Sequence, residues 1–289
     1  MISYNPKDWW KLIFYFHKAD TFRKLSPAML AIMAYTAFFY YLEHNILHLT
    51  SVKNPIAIHS LVGFVLSLLL VFRTNTSYDR WWEGRKLWGS MTNNSRNLAM
   101  KLASYLPDNK EDRRFFQVQI TNFLYAAKNR LRANDSYNNI ELIGDYDLDF
   151  YASSKHLPNQ IFQTIYLKVN QLYQKKAITD YQFLTLNAEL ASFADNMGGC
   201  ERIKNTPIPA SYNIFIKKII FLYVFTMPIG FVLEFGLWAV PIVTLVFYAF
   251  AGIEMIAEEI EDPFGKDNND LALDTIVRNI KGNLAEILA

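Results

Sequence analysis

Three acids recur at i, i+4 and i+7 near the C-terminal end of the chain: Glu254, Glu258 and Glu261. On a helix that spacing lines them along one face. Carboxylates so placed build the metal sites of carboxylate-rich helical bundles, but those sites add a Glu-x-x-His pair. None accompanies these three. They read as a solvated or interface-pairing face, and a metal-dependent membrane enzyme built on them stands as an alternative. His44 and His48 also lie one turn apart. Two imidazoles could hold a metal, but no third ligand is evident, so they read as interfacial histidines. Cys200 is the sole cysteine, which excludes a disulfide within one chain. In the run Gly198-Gly199-Cys200 it reads as a small structural residue. The chain carries no GxSxG, P-loop, GxGxxG or HExxH. No enzymatic activity, no catalytic residue, no metal and no cofactor is expected.

The elements that carry these residues have a membrane character. Of 289 residues 52% are hydrophobic, 16% aromatic and 19% charged, and the apolar residues gather toward the two ends. A net charge of +2 gives no support for a nucleic-acid partner. Crossing a bilayer takes about 20 mostly apolar residues in a helix. Four segments qualify: 27–46, 55–72, 214–233 and 237–253. The second holds no charge at all, and Pro55 suits its first turn. Trp238 falls where an interfacial aromatic belongs. Pro228 and Pro241 lie inside the last two segments, where neighbouring helices or water can serve the freed carbonyls.

Basic residues set the orientation. Residues 1–26 carry Lys7, Lys11, Lys18, Arg23 and Lys24 without the cleavage site of a removable signal peptide. The loop 47–54 has only Lys53, whereas Arg73, Arg80, Arg85 and Lys86 follow the second span. The link 234–236 has no basic residue. The positive-inside rule therefore predicts a multi-pass inner (plasma) membrane protein. It places both termini, the middle 73–212 and the C-terminal segment 254–289 in the cytoplasm.

That middle reads as a helical module. In 113–132, Phe116, Ile120, Phe123, Leu124 and Ala127 recur at helical spacing. Residues 157–173 and 179–197 do the same, with Thr179 or Asp180 as N-cap. Residues 134–154 are polar and broken and read as a loop or short turns. No alternating strand pattern and no internal repeat appears.

The second span has no helix breaker at its inner end, so its helix is expected to continue into the cytoplasm to about residue 105. Phe64, Leu68 and Phe72 recur at i, i+4 and i+8 and form one stripe, extended upward by Ser60. Ordinary helix packing would explain such a stripe. Polar groups within the spans are few, which argues against a proton-coupled transporter.

The run from Phe72 to Arg85, Phe-Arg-Thr-Asn-Thr-Ser-Tyr-Asp-Arg-Trp-Trp-Glu-Gly-Arg, resembles the signature of the bestrophin family in its bacterial branch. Asn205-Thr206-Pro207-Ile208-Pro209 resembles the family's segment before the third span, and Asp262-Pro263-Phe264-Gly265 its Asn-Pro-Phe-Gly segment after the fourth. The resemblance implies an all-α homopentamer around a central pore, with four membrane helices per subunit and a cytosolic helical vestibule. The pore neck then falls on Phe64, Leu68 and Phe72, the stripe already found, and a lower cytosolic aperture on Ile208. Five apolar rings give a wall that water leaves easily, so the neck can gate by dewetting. Aromatic rings offer a positive edge to anions and a negative face to cations. Animal and plant members pass anions and a bacterial member passes monovalent cations. The expectation for this chain therefore leans to small monovalent cations, with chloride conduction kept open.

Animal members of the family hold Ca²⁺ with an acidic cluster after Asn-Pro-Phe-Gly. Here the matching stretch is Lys266-Asp267-Asn268-Asn269-Asp270. Only Asp267 and Asp270 fall on ligand positions, and the ammonium of Lys266 opposes a cation. They are weak Ca²⁺ candidates beside the plainer reading of a polar helix start. Asp79 and Arg80 could pair across subunits, and Trp81, Trp82 and Trp88 are expected to pack the module. A membrane scaffold whose helical middle serves as a docking surface is the remaining alternative.

Overall fold

The computed structural model describes residues 20–47, 55–134, 136–137 and 139–289. Lys7, Lys11, Lys18, His48, Lys53 and the 48–54 part of the first loop lie outside the described residues. The described residues are helical, and their one strand-like feature is an isolated bridge between Ile143 and Tyr146. The helices are α1 (Asp20–Leu42), α2 (Pro55–Tyr105), α3 (Lys110–Leu131), α4 (Leu148–Ala152), α5 (Leu157–Gln174), α6 (Asp180–Asn205), α7 (Ala210–Phe235), α8 (Ala239–Glu261) and α9 (Leu273–Ile287). They form two compact units. The first is built from α1, the part of α2 up to Arg80, and Pro207–Glu261; the second from Trp81–Thr206 and Asp262–Ala289.

The first unit holds the helices long and apolar enough to cross a membrane: the runs Thr21–Leu47 and Ala210–Glu261, and the apolar start of Ile56–Tyr105. The helix α1 begins ahead of the expected span and contains Pro27. The proline cannot donate to the carbonyl four residues back, that of Arg23. The hydroxyl of Ser26 donates to that carbonyl instead, at 2.9 Å. A short π-turn, Glu43–Leu47, follows α1. Gly236 (φ 54°) breaks the Ala210–Glu261 run into α7 and α8, which pack against each other and against α1. A side chain with a Cβ is strained at that φ, so the glycine is what makes the break. Pro241 falls in the first turn of α8, where a missing N–H does no harm.

One side of α2 packs inside this unit. Leu66 and Leu70 join Ile216, Ile220, Tyr223, Val224, Met227 and Val243 in a buried cluster. Gly63 permits the approach, because a Cβ there would lie 2.6 Å from the Tyr223 hydroxyl. Tyr212 Oη donates to the Leu69 carbonyl, and His59 Nε2 lies 3.2 Å from Thr226 Oγ1.

The second unit has a conventional apolar core. The later part of α2 contributes Trp88, Met91, Leu98 and Leu102, and α9 contributes Val277, Ile280 and Leu284. Phe123 of α3, Phe162 of α5 and Phe193 of α6 meet with ring centres 5.1–5.7 Å apart. Sequence chemistry sets the helix starts: Thr179 and Gln182 form a capping box on α6, and Asn109 caps α3. Lys128 of α3 and Arg132, the residue just past its end, hold Asp274 of α9 at 2.8 and 2.7 Å.

Candidate functional site

The open side of α2 is the candidate. Phe64, Leu68 and Phe72 are 62%, 45% and 64% exposed, while Leu66 is fully buried. Both faces are apolar, so composition does not separate them; among the described residues only one is closed by packing. Ser60 continues the exposed stripe upward and Asp79 continues it downward. Asp79 comes seven residues after Phe72, which on a helix is about two turns, or roughly 10 Å. The apolar stripe is thus bounded on its own face by a hydroxyl and a carboxylate. Ile208 is placed differently. It is nearly buried, and its backbone N–H donates to Glu261 Oε1 at 2.8 Å.

Glu254, Glu258 and Glu261 are not one solvated face. Glu254 and Glu261 are buried, and only Glu258 is exposed, where both its oxygens accept from Lys217 Nζ at 2.8 and 2.9 Å. The reason is Arg73. Its side chain is wholly buried, with Nη2 donating to Glu261 Oε2 at 2.7 Å and Nη1 donating to Ser77 Oγ at 2.8 Å. Asn213 Nδ2 also reaches Glu261 Oε2, at 3.4 Å. With Lys217 bonded to Glu258, Arg73 bonded to Glu261 and Arg73 Nε 3.6 Å from Glu254, cationic side chains already take the space a metal would need. Arg73 counts in the sequence only as a flanking charge. Continuing the buried rhythm of Leu66 and Leu70 by three and then four residues gives Arg73 and Ser77, and that was the signal available for its burial.

Further corrections concern the tryptophan-rich run. The Nε of Arg80 donates to the Glu261 carbonyl of its own chain at 3.1 Å. Trp88 is buried and Trp81 packs against the core, its Nε1 donating to the Asn269 carbonyl at 2.9 Å, but Trp82 is substantially exposed. Gly84 explains the close meeting of two of the motifs: a Cβ there would lie 3.1 Å from both Pro263 and Phe264.

The Ca²⁺ reading does not fit the residues present. Asp267 is exposed and Asp270 buried, and the Asp267 N–H donates to Asp270 Oδ2 at 2.6 Å. One oxygen of Asp270 takes the loop's own backbone N–H, and Lys266 adjoins Asp267. Among the described residues no group of three His, Cys, Asp or Glu side chains could hold a metal ion. His44 is exposed and stacks on Tyr40 with ring centres 5.8 Å apart. Cys200 is buried in the second unit's core. That burial, aided by Glu201 and Glu83, pushes its thiol up to about 12, so it is chemically inert at ordinary pH.

A voltage-dependent anion channel-forming protein of Nostoc sp. is 37% identical over 241 residues, covering 82% of this chain and 78% of the relative. The voltage-dependent anion channel-forming protein YneE of Escherichia coli is 30% identical over 293 residues, covering 99% and 94%. The crystal structure of a bacterial bestrophin homologue from Klebsiella pneumoniae superposes with a TM-score of 0.83 at 26% identity, over 90% of this chain and 97% of the other. The model of the Bacterial/Fungal Bestrophin protein family matches residues 1–286. Long apolar helices, an open apolar stripe on α2 and this family match lead to one conclusion: the chain is an integral membrane protein of the bacterial and fungal bestrophin family.

Proposed function

We propose that the protein is a homopentameric ion channel of the bacterial plasma membrane in which α2 of each subunit lines a hydrophobic neck. The observation that carries this reading is the exposed stripe Phe64, Leu68 and Phe72, opposite a face of the same helix that is closed by packing. Ile58, Leu61, Val62, Val65 and Val71 are exposed as well. Neighbouring copies would cover that wider surface and leave the stripe on the axis. Each subunit crosses four times, with α7 and α8 as two crossings joined at Gly236. The basic residues beside α1 and α2 support cytoplasmic termini.

The neck carries no fixed charge, so it passes small monovalent ions and closes by losing water. Asp79 is the first charge on that face below Phe72. Five such carboxylates within about a Debye length of the neck favour cations. Anion conduction is the second reading, favoured by the names of the Nostoc and Escherichia coli relatives. Ile208 is the lower constriction, through the edge it leaves uncovered.

Changing Phe64, Leu68 and Phe72 together to Ala should raise ion flux in liposomes about tenfold or more, with the oligomer size unchanged. Unchanged flux from a correctly assembled triple variant would refute the neck. Reversal potential under a NaCl gradient gives the sign of the permeant ion.

A further inference from the structure

Glu254 is a buried carboxylate without a hydrogen bond. It is 4% exposed, and neither oxygen accepts from any described residue. The nearest cation, Arg73, has its Nη groups on Glu261 and Ser77. Its Nε has no acceptor and lies 3.6 Å from Glu254 Oε2, outside hydrogen-bonding reach. A carboxylate this deep that accepts no hydrogen bond, even with a guanidinium 3.6 Å away, is costly, and a proton relieves that cost.

The charges around it leave one negative too many. From α2 comes Arg73. The helix α8 adds Glu258 and Glu261, and α7 adds Lys217, which both oxygens of Glu258 already occupy. From α1, Lys24 is bound to Glu259 at 3.0 Å. Arg73 therefore faces both buried carboxylates, while Arg80 Nε takes the backbone carbonyl of Glu261. A single proton would balance the cluster. A metal cation would meet the guanidinium in the same space, which argues against one.

We infer that Glu254 is a proton-binding site, taking one proton from water to form a neutral carboxyl beside the Arg73–Glu261 pair. Its consequence for conduction rests on the channel reading above. Glu261 joins two parts of the proposed pathway. One oxygen takes Arg73, the residue after Phe72, and the other takes the backbone N–H of Ile208. With Glu254 protonated, Arg73 belongs wholly to Glu261 and the Ile208 segment is held. When the proton leaves, two carboxylates compete for Arg73, and the hold on Ile208 loosens. Flux is then low in mild acid and rises as the pH becomes alkaline.

Two measurements on the full-length protein test this, and one does not depend on conduction. Infrared difference spectra through a pH titration should show a carboxylic-acid carbonyl band that is lost on deprotonation and missing in Glu254→Gln. A band that persists in the variant, or is absent from the native protein at every pH, overturns the proton site. In liposomes, native flux should rise several-fold from mildly acidic to mildly alkaline pH. Glu254→Gln, which copies the neutral form, should stay at the acid level throughout. A variant that keeps the native pH response overturns the coupling to Ile208. Absence of flux from the native protein at every pH would instead sink the channel reading, and the infrared band would still judge the proton site.

Discussion

The two sides of α2 within the first unit have nearly the same chemistry and opposite fates. Leu66 and Leu70 are buried against α7, whereas Leu68 and Phe72, two residues on from each, are open. Hydrophobicity alone did not decide which side packs. Gly63 did much of it, because the missing Cβ lets Tyr223 come close on that side only. Arg73 and Ser77 then extend the closed side with polar contacts. An apolar stripe left uncovered by the described residues, and ended by polar residues on the same face, is suited to an axial passage.

Aspartate substitution separates the two sides most sharply. Leu66→Asp would bury an unpaired charge and should yield no folded oligomer on size-exclusion chromatography in detergent. Leu68→Asp should assemble normally and raise cation flux, because a pore-facing carboxylate stays in water. If Leu68 faced lipid instead, the same change would cost about 2.5–3.5 kcal/mol in membrane insertion, and assembly would fail at both positions. Alanine gives a smaller contrast. Leu66→Ala should lose about 2 kcal/mol on unfolding in mixed micelles, near the low end for Leu→Ala because lipid removes part of the transfer cost. Leu68→Ala should lose less than about 0.5 kcal/mol in the same titration, and equal losses would erase the distinction. The smallest effect is electrostatic. Asp79→Asn should move the reversal potential under a NaCl gradient a few millivolts toward zero, with the oligomer intact, and no movement would remove Asp79 from the selectivity account.

Much of this layout is legible in the sequence. The long uncharged run before Arg73 gives α2, and Thr179 with Gln182 gives the start of α6. The i, i+4, i+8 rhythm of Phe64, Leu68 and Phe72 gives a stripe, but rhythm says nothing about what covers it. The acids are where sequence reasoning failed. Glu254, Glu258 and Glu261 share a helical face, and exposure is the ordinary fate of such charge. The burial of Glu254 and Glu261 goes with Arg73, 188 residues from Glu261 along the chain. Asn213 and the Ile208 N–H join the same carboxylate from yet another segment. No local pattern encodes a meeting of that kind. The exposure of Trp82 beside two packed tryptophans was likewise invisible, since all three have the same composition signal.

Cysteine accessibility tests the central claim most directly, and the chain is suited to it because Cys200 is buried and its thiol unreactive. Leu68→Cys in liposomes, treated with a water-soluble charged methanethiosulfonate, should be modified and should lose its flux, while Leu66→Cys should remain unmodified. Labelling of Leu68→Cys by a lipid-soluble maleimide alone, with flux untouched by the charged reagent, would contradict the account.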